Sequence, residues 1–349
     1  MTSIRQMNIG QVTVGGGAPV SVQSMTNTDT RDAGATLSQI RSLAAYGCEI
    51  VRVAVPDEGS AASLRQIVAE SPLPVVADIH FKADLALKAI GAGAAALRIN
   101  PGNIGSEERV REIVETARAA AVPIRIGVNA GSLPRKMRPL AEEDPVRALV
   151  ETTLEYVALF EGFGFHNFKV SAKSSSVRET IEANLALAAA MDYPIHLGVT
   201  EAGTVWTGAI KNAVGIGALL AQGVGDTIRV SLTGDPVEEV RAGYEILKSL
   251  GLREHGPNLI SCPTCARRSF DVEAVALEVE QRLAGYRTSI EVAVMGCVVN
   301  GPGEARRADF GIAGGRNEGL IFAHGEPIRK VPPDQLVEAL FEEIAKRVQ

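Results

Sequence analysis

Aromatic side chains are scarce: one Trp, five Tyr and nine Phe make up 4% of 349 residues, and nowhere do they alternate with Lys or Arg. That excludes a single-stranded nucleic-acid platform, which needs rings for bases to stack on. Positive charge is in deficit too, with 35 Lys and Arg against 41 Asp and Glu and a net charge of −6. The chain therefore lacks the basic face of a general nucleic-acid binder. No stretch of about 18 uncharged apolar residues occurs, so no membrane-spanning helix is expected, and residues 1–8 contain no apolar run of signal-peptide length. A cytoplasmic protein is expected, in a compartment where thiols stay reduced and able to hold metal. Low-complexity segments are missing. What remains, 46% hydrophobic and 22% charged, is an ordinary globular composition at a length that suggests two domains.

Cysteine is rare as well, yet three of the four fall together. Cys262-Pro263-Thr264-Cys265 is followed after thirty-one residues by Cys297-Val298-Val299-Asn300-Gly301-Pro302-Gly303-Glu304. Two thiolates from one tight turn can bind one metal centre, and a third from a second Gly/Pro turn can fold back to close the site. Zinc would want a fourth Cys or His, and an iron-sulfur cluster would want four ligands or three plus one exchangeable position. No fourth Cys lies nearby. Three unrelated core cysteines, or a Cys262–Cys265 disulfide, are the competing structural readings. Cys48, beside Ile50, reads as core.

From about Val20 to Leu250 the chain alternates short β-branched runs with Ala/Leu/Glu/Arg segments of helical length. Strands are expected at 20–25, 50–55, 75–79, 96–100, 124–128, 167–171, 195–199 and 227–231. Helices are expected near 36–47, 59–71, 83–91, 106–121, 145–162, 176–190, 206–222 and 236–250. Eight such pairs predict parallel βαβ units closed into a TIM barrel. Gly15-Gly16-Gly17 is taken as the turn of an N-terminal hairpin. The segment 253–258 reads as a boundary. Beyond it a smaller α/β unit is expected, with helices at 271–284 and 333–348 and strands at 290–295, 310–313 and 320–322. The fold class is thus α/β: an N-terminal (β/α)8 TIM barrel, 1–253, that binds substrate, and a small α/β metal domain, 254–349.

In a TIM barrel the chemistry sits at the C-terminal strand ends, and the polar residues gather there. The strands carry Gln23; Arg52; Asp78 and His80; Arg98 and Asn100; Arg125 and Asn129; Lys169, Ser171 and Lys173; His196 and Glu201; Arg229 and Ser231. Cations within five strands are costly in an apolar interior unless an anion neutralises them, which points to a phosphate or diphosphate guest. The alternative is that each pairs with a carboxylate, but Asp78 and Glu201 are the acidic residues that stand out. Both are candidates for acid/base work or for binding a substrate hydroxyl, and either can equally be an arginine partner.

Three motifs together resemble one family: Val20 to Thr28, Val199-Thr200-Glu201-Ala202-Gly203, and Gly296 to Ala305. They are similar to the bacterial 4-hydroxy-3-methylbut-2-en-1-yl diphosphate synthases of the methylerythritol phosphate route to isoprenoids, in the short two-domain form. The resemblance implies an iron-sulfur oxidoreductase that reduces 2-C-methyl-D-erythritol 2,4-cyclodiphosphate by two electrons, opening the ring and losing water. It implies a 4Fe-4S cluster held by Cys262, Cys265, Cys297 and Glu304, the carboxylate being a weak ligand that a substrate oxygen can displace. It implies a diphosphate grip by Arg52, Arg98, Arg125 and Lys173 with Asn129 assisting and Asp78 nearby, and an acid/base role for Glu201. Flavodoxin or ferredoxin would donate the electrons. A head-to-tail homodimer would bring one subunit's cluster domain over the other's barrel, and the boundary near 254 would act as a hinge. Arg306-Arg307 adds charge beside the cluster, either for an acidic electron donor or as a solvated pair.

Two other classes compete. A non-catalytic metal-cluster sensor would need no cationic barrel mouth. A phosphate-binding barrel with a structural zinc, such as a pterin-dependent synthase, would show zinc and no redox activity. A radical enzyme using S-adenosylmethionine is disfavoured because the barrel has no close cysteine triplet.

Overall fold

The computed structural model describes residues 3–297, 308–315 and 318–347. The chain divides into two compact units, Met1–Arg253 and Glu254–Gln349.

The first unit opens with an antiparallel hairpin of β1 (Gln6–Ile9) and β2 (Val12–Gly15). Its turn is Gly10-Gln11, because Ile9 pairs with Val12 and Gly10 takes a φ of +56°. Gly15-Gly16-Gly17 is therefore not the turn; it follows the hairpin. A Cβ on Gly15, itself at φ +82°, would lie 2.3 Å from the Arg5 carbonyl oxygen, so the glycine is needed to leave the second strand.

Eight parallel strands follow: β3 (Ser21–Met25), β4 (Ile50–Ala54), β5 (Val75–Asp78), β6 (Ala96–Ile99), β7 (Ile124–Asn129), β8 (Phe168–Lys173), β9 (His196–Leu197) and β10 (Thr227–Ile228). Their order is β8-β7-β6-β5-β4-β3-β10-β9, and an isolated parallel bridge between Val170 and Ile195 joins β8 to β9. Helices at 33–45, 58–70, 83–91, 107–119, 145–162, 177–190, 205–220 and 236–249 alternate with them. The eight-pair barrel read from periodicity is the observed one. Its last two strands pair regularly over only two residues each, although Arg229 N still donates to Leu197 O at 3.0 Å beyond them.

Sequence explains where several helices start. The side chains of Asp32, Asp57, Asp144, Ser176 and Asp235 each accept a first-turn backbone N–H, satisfying donors that have no intrahelical partner. Between helices and strands runs one apolar layer that includes Leu43, Ile67, Leu97, Val128, Leu187 and Leu247. A separate cluster closes the N-terminal end of the barrel, where Met7, Ile9 and Val14 of the hairpin pack on Ile50, Val76 and Ala96 at the starts of β4, β5 and β6.

The second unit holds a five-stranded sheet in chain order: β11 (Asn258–Ser261), β12 (Glu291–Met295), β13 (Phe310–Gly314), β14 (Gly319–Ala323) and β15 (Glu326–Val331). The first three are mutually parallel, β14 is antiparallel to β13, and β15 is antiparallel to β14. Helices 272–283 and 336–347 contribute Val279, Leu283, Leu340 and Ile344 to its core. Sequence reading missed β11 and β15. Both are edge strands: the first is four half-exposed residues, and the second is largely polar and contains Pro327, the composition that edges tolerate. No helix among the described residues is long and apolar enough to cross a membrane.

Because the hairpin is the barrel's floor, Ile9→Ala should destabilise the first unit by about 2–5 kcal/mol. Urea unfolding followed by circular dichroism would check it, and an unchanged midpoint would show that the hairpin packs without bearing on barrel stability.

Candidate functional site

Residues in register on neighbouring parallel strands present side chains to the same face. The pairings Asp78↔Arg98, Arg98↔Arg125 and Arg125↔Lys169 therefore set a row of charged side chains across β5, β6, β7 and β8. Four residues further along β8, Lys173 pairs with Asn129. Arg98, Arg125, Lys169 and Lys173 are all buried. The structure thus brings the predicted diphosphate ligands of β4 to β8 into one barrel interior.

Pairing accounts for part of the charge. Asp78 binds Arg98 Nη1 through Oδ1 at 3.2 Å and Arg52 Nε through Oδ2 at 3.3 Å, with His80 Nε2 at 3.8 Å. Burial pushes the Asp78 carboxyl up, but Arg52, Arg98, His80 and Arg125 outweigh it and bring it down to about 2. Its two guanidinium contacts match the arginine-partner reading among those the sequence left open. Arg229 Nη2 pairs with Glu239 Oε1 at 2.9 Å, and the other Glu239 oxygen accepts from Ser24 Oγ at 3.0 Å. Glu239 was missed from sequence: it lies in the first turn of helix 236–249, where Glu238-Glu239 reads as ordinary helix-start charge.

Three cations have no ion-pair partner among the described residues. Among the described residues no carboxylate forms an ion pair with Arg125, Lys169 or Lys173. Arg125 donates from Nη1 to Ser171 Oγ, and its Nε and Nη2 have no protein partner. Lys169 donates to Thr227 Oγ1 at 2.9 Å. Burial first, and the neighbouring cations second, hold Arg125, Lys169 and Lys173 well below their ordinary pKa values. His196, on β9, is pushed the same way by burial and then by Lys173, Arg125, Lys169 and Arg52, so its imidazole is neutral. Both its ring nitrogens, both amide atoms of Gln23 and Arg98 Nε lack protein partners. Orphaned buried donors of this density mark a place built for a polar guest. Glycine provides the room: a Cβ on Gly127 would sit 2.5 Å from Arg98 Nε, and one on Gly198 would sit 2.5 Å from Lys173 Nζ.

Glu201 is exposed on the turn after β9 with a φ of +53°, a strained conformation for a side chain other than glycine. With Ala202, Gly203, Arg229, Ser231, Leu232 and Thr233 it lines an open cavity of about 210 Å³. Asn100 caps the Gly102 N–H at 3.2 Å and reaches Ser132 Oγ at 3.4 Å. Ser132 Oγ in turn donates to Asn129 O at 3.3 Å, tying the 130–135 segment to the strand end that carries Asn129.

In the second unit, parallel pairing of Ser261 with Val294 brings the Cys262 turn and the Gly296-Cys297 turn to one edge of the sheet. Cys262 N donates to Val294 O at 3.1 Å, and Gly296 N donates to Cys262 Sγ at 3.1 Å. Arg268 N donates to Cys265 O at 3.1 Å and Ser269 N to Gly296 O at 2.9 Å. A Cβ on Gly296 would lie 2.5 Å from Val272 Cγ2, so the glycine leaves room for the start of helix 272–283. Cys262 is half-buried, Cys265 exposed and Cys297 buried. Among the described residues no three His, Cys, Asp or Glu side chains already form a metal-holding group, and Glu304 lies outside the described residues. Two thiol-bearing turns on one sheet edge, one with its sulfur accepting an amide hydrogen, fit a soft, thiolate-bound centre. Cys48 is core: its thiol is buried, donates to Ile50 O at 3.2 Å and is pushed up by burial to about 12.

Residues 4–244 match the family model of the GcpE TIM-barrel domain and residues 258–346 that of the GcpE protein C-terminal domain. The 4-hydroxy-3-methylbut-2-en-1-yl diphosphate synthase (flavodoxin) of Geobacter sulfurreducens is 58% identical over 342 residues, 98% of this chain and 97% of its own length. The protein of the same name from Clostridium acetobutylicum is 55% identical over 97% of each chain. Among solved structures, dihydropteroate synthase of Yersinia pestis with a sulfonamide superposes at a TM-score of 0.51 with 13% identity, covering 71% of this chain and all of that one. N-acetylneuraminic acid synthetase of Leptospira borgpetersenii also superposes at 0.51, with 12% identity over 80% and 97%. These likenesses concern the barrel fold.

Replacing an unpaired buried cation by an apolar isostere removes a desolvation cost. Lys173→Met should therefore raise the melting temperature without ligand while abolishing the stabilisation that inorganic pyrophosphate gives the parent protein. A lowered melting temperature would show that Lys173 is already compensated. Asp78→Asn should do the reverse at neutral pH, costing about 3 kcal/mol by stranding two arginines. A carboxyl held at about 2 against an ordinary 3.8 stabilises the fold fully above 3.8 and ceases to do so as pH falls through 2. Acid titration of stability should therefore be flatter for Asp78→Asn than for the parent between pH 4 and 2.

Proposed function

The chain belongs to the GcpE family, and from that premise we propose that it is an oxidoreductase making 4-hydroxy-3-methylbut-2-en-1-yl diphosphate. Its substrate is 2-C-methyl-D-erythritol 2,4-cyclodiphosphate, reduced by two electrons with opening of the cyclic diphosphate and loss of water. The observation that carries the substrate class is the trio of buried cations without ion-pair carboxylates, Arg125, Lys169 and Lys173, beside the Asp78-linked pair Arg52 and Arg98. A diphosphate supplies the charge that this interior lacks.

In this reading Arg52, Arg98, Arg125 and Lys173 hold the diphosphate and Asn129 completes the grip. Asp78 keeps the guanidinium groups of Arg52 and Arg98 aimed inward, so its part in binding is orientation. Glu201, on its strained turn beside Arg229, carries the proton that the departing hydroxyl needs to leave as water. Neutral His196 and Gln23 bind polar atoms of the ligand or its waters.

Cys262, Cys265, Cys297 and Glu304 would hold a 4Fe-4S cluster, which when bound supplies electrons one at a time and a Lewis-acidic iron. Flavodoxin, printed in the names of the relatives, is the proposed electron donor. Because the barrel and the thiol turns belong to different units, a homodimer in which one subunit's cluster unit serves the other's barrel is part of the proposal, as is a cytoplasmic location.

Iron, acid-labile sulfide and zinc should be measured on protein purified without oxygen, together with turnover of the cyclodiphosphate by reduced flavodoxin. About four irons and four sulfides per chain with turnover is the expected result, and Glu304→Ala should lose both. Zinc alone in a protein that cannot be reconstituted would overturn the redox reading, and a Glu304→Ala protein with intact cluster and turnover would remove that residue from the ligand set.

A further inference from the structure

An electron carrier must come close to the cluster, because electron transfer falls off steeply with distance. The 254–349 unit has more Asp and Glu than Lys and Arg, and the whole chain is at −6. An acidic redox protein would thus be repelled overall, and any attraction has to be local. Four cations of this unit are committed to carboxylates. Arg282 pairs with Glu278 and Glu338, Arg329 with Glu342 and Glu343, Lys330 with Glu318 and Lys346 with Glu343.

Arg267 and Arg268 differ. Both are exposed, and among the described residues no carboxylate pairs with either. They share a turn with Cys265, since Arg268 N donates to Cys265 O at 3.1 Å, and a Cβ on Gly296 would lie 3.4 Å from that of Arg268. The segment from Cys262 to Phe270 holds these two positive charges and no negative one. The same segment contains the exposed thiol of Cys265. Unpaired cations and the thiol nearest solvent therefore coincide on one turn.

We propose that the Cys265–Arg268 turn is where the electron-donating flavodoxin docks, with Arg267 and Arg268 engaging a carboxylate-rich rim around its flavin. The inference rests on the flavodoxin-dependent reading above. Guanidinium groups suit it, staying charged at any working pH and binding carboxylates in two-pronged fashion. Rim charges act mainly on encounter rate, so the docking should be fast, salt-sensitive and short-lived, as a carrier that must leave between electrons requires.

The test compares holoenzyme with its Arg267→Ala/Arg268→Ala variant, and with Arg287→Ala as a control. Arg287 is exposed too but precedes β12, at the sheet edge opposite the cysteines. Turnover is driven in parallel by reduced flavodoxin and by dithionite-reduced viologen, a small mediator that needs no docking surface, and binding of oxidised flavodoxin is measured by calorimetry. Expected for the double variant are an approximately tenfold loss of kcat/KM for flavodoxin, a shallower salt dependence and weaker binding. Iron content, viologen-driven turnover and the KM for cyclodiphosphate should not change, and Arg287→Ala should behave as the parent. Unchanged flavodoxin kinetics and affinity would overturn the proposal, as would a parallel loss of viologen-driven turnover, which would place the arginines at the cluster or substrate. A parent holoenzyme that binds flavodoxin but does not turn over the cyclodiphosphate with either reductant would instead overturn the substrate reading and leave the docking surface standing.

Discussion

Buried positive charge is the constraint on which the first unit depends. Each ammonium or guanidinium taken out of water costs several kcal/mol unless something answers it, and the barrel takes in Arg98, Arg125, Lys169 and Lys173 together. Asp78 answers two arginines at once and Glu239 answers Arg229. The rest is left for a ligand. Such an interior survives only inside a scaffold with stability to spare, which the apolar layer between strands and helices and the hairpin floor provide.

The second unit applies the same topological rule on a smaller scale. Parallel strands bring neighbouring C-terminal ends to one edge, and whatever follows those ends is gathered there. In the barrel this assembles charged residues from many strands around one axis. In the five-stranded sheet it carries Cys262, after β11, to the turn that precedes Cys297, after β12. Thirty-one intervening residues form a helix and a strand whose effect is to return the chain to the edge it left. Gly296 and Gly127 both keep space open, one for the Val272 side chain at a helix start and the other for a guanidinium.

Much of this was legible from sequence because burial on both faces leaves a strong signal. β4, β6, β7 and β8 are buried runs interrupted by cations, and an Arg inside such a run can only point into the barrel or into the apolar layer. Arg52, Arg98, Arg125, Lys169, Lys173 and Arg229 stood out as strand cations on that ground. Edge strands carry no such signal, so β11 and β15 were missed. The hairpin turn was misplaced at Gly15-Gly16-Gly17 because three glycines outweigh Gly10-Gln11 until the pairing of Ile9 with Val12 is known.

Sequence by itself determined the alternation of eight strands and eight helices, the presence of cations in those strands and the clustering of cysteines near the chain's end, since all three are written in local pattern and spacing. Tertiary structure decided who answers whom. Asp78 became a fixed carboxylate shared by two arginines and not a proton donor, Glu239 became the partner of Arg229, and His196 became a neutral ring among cations. The first two turn on distances of 2.9 to 3.3 Å between residues of different elements, and the third on burial among cations. Barrel closure sets such distances, and periodicity carries no record of them.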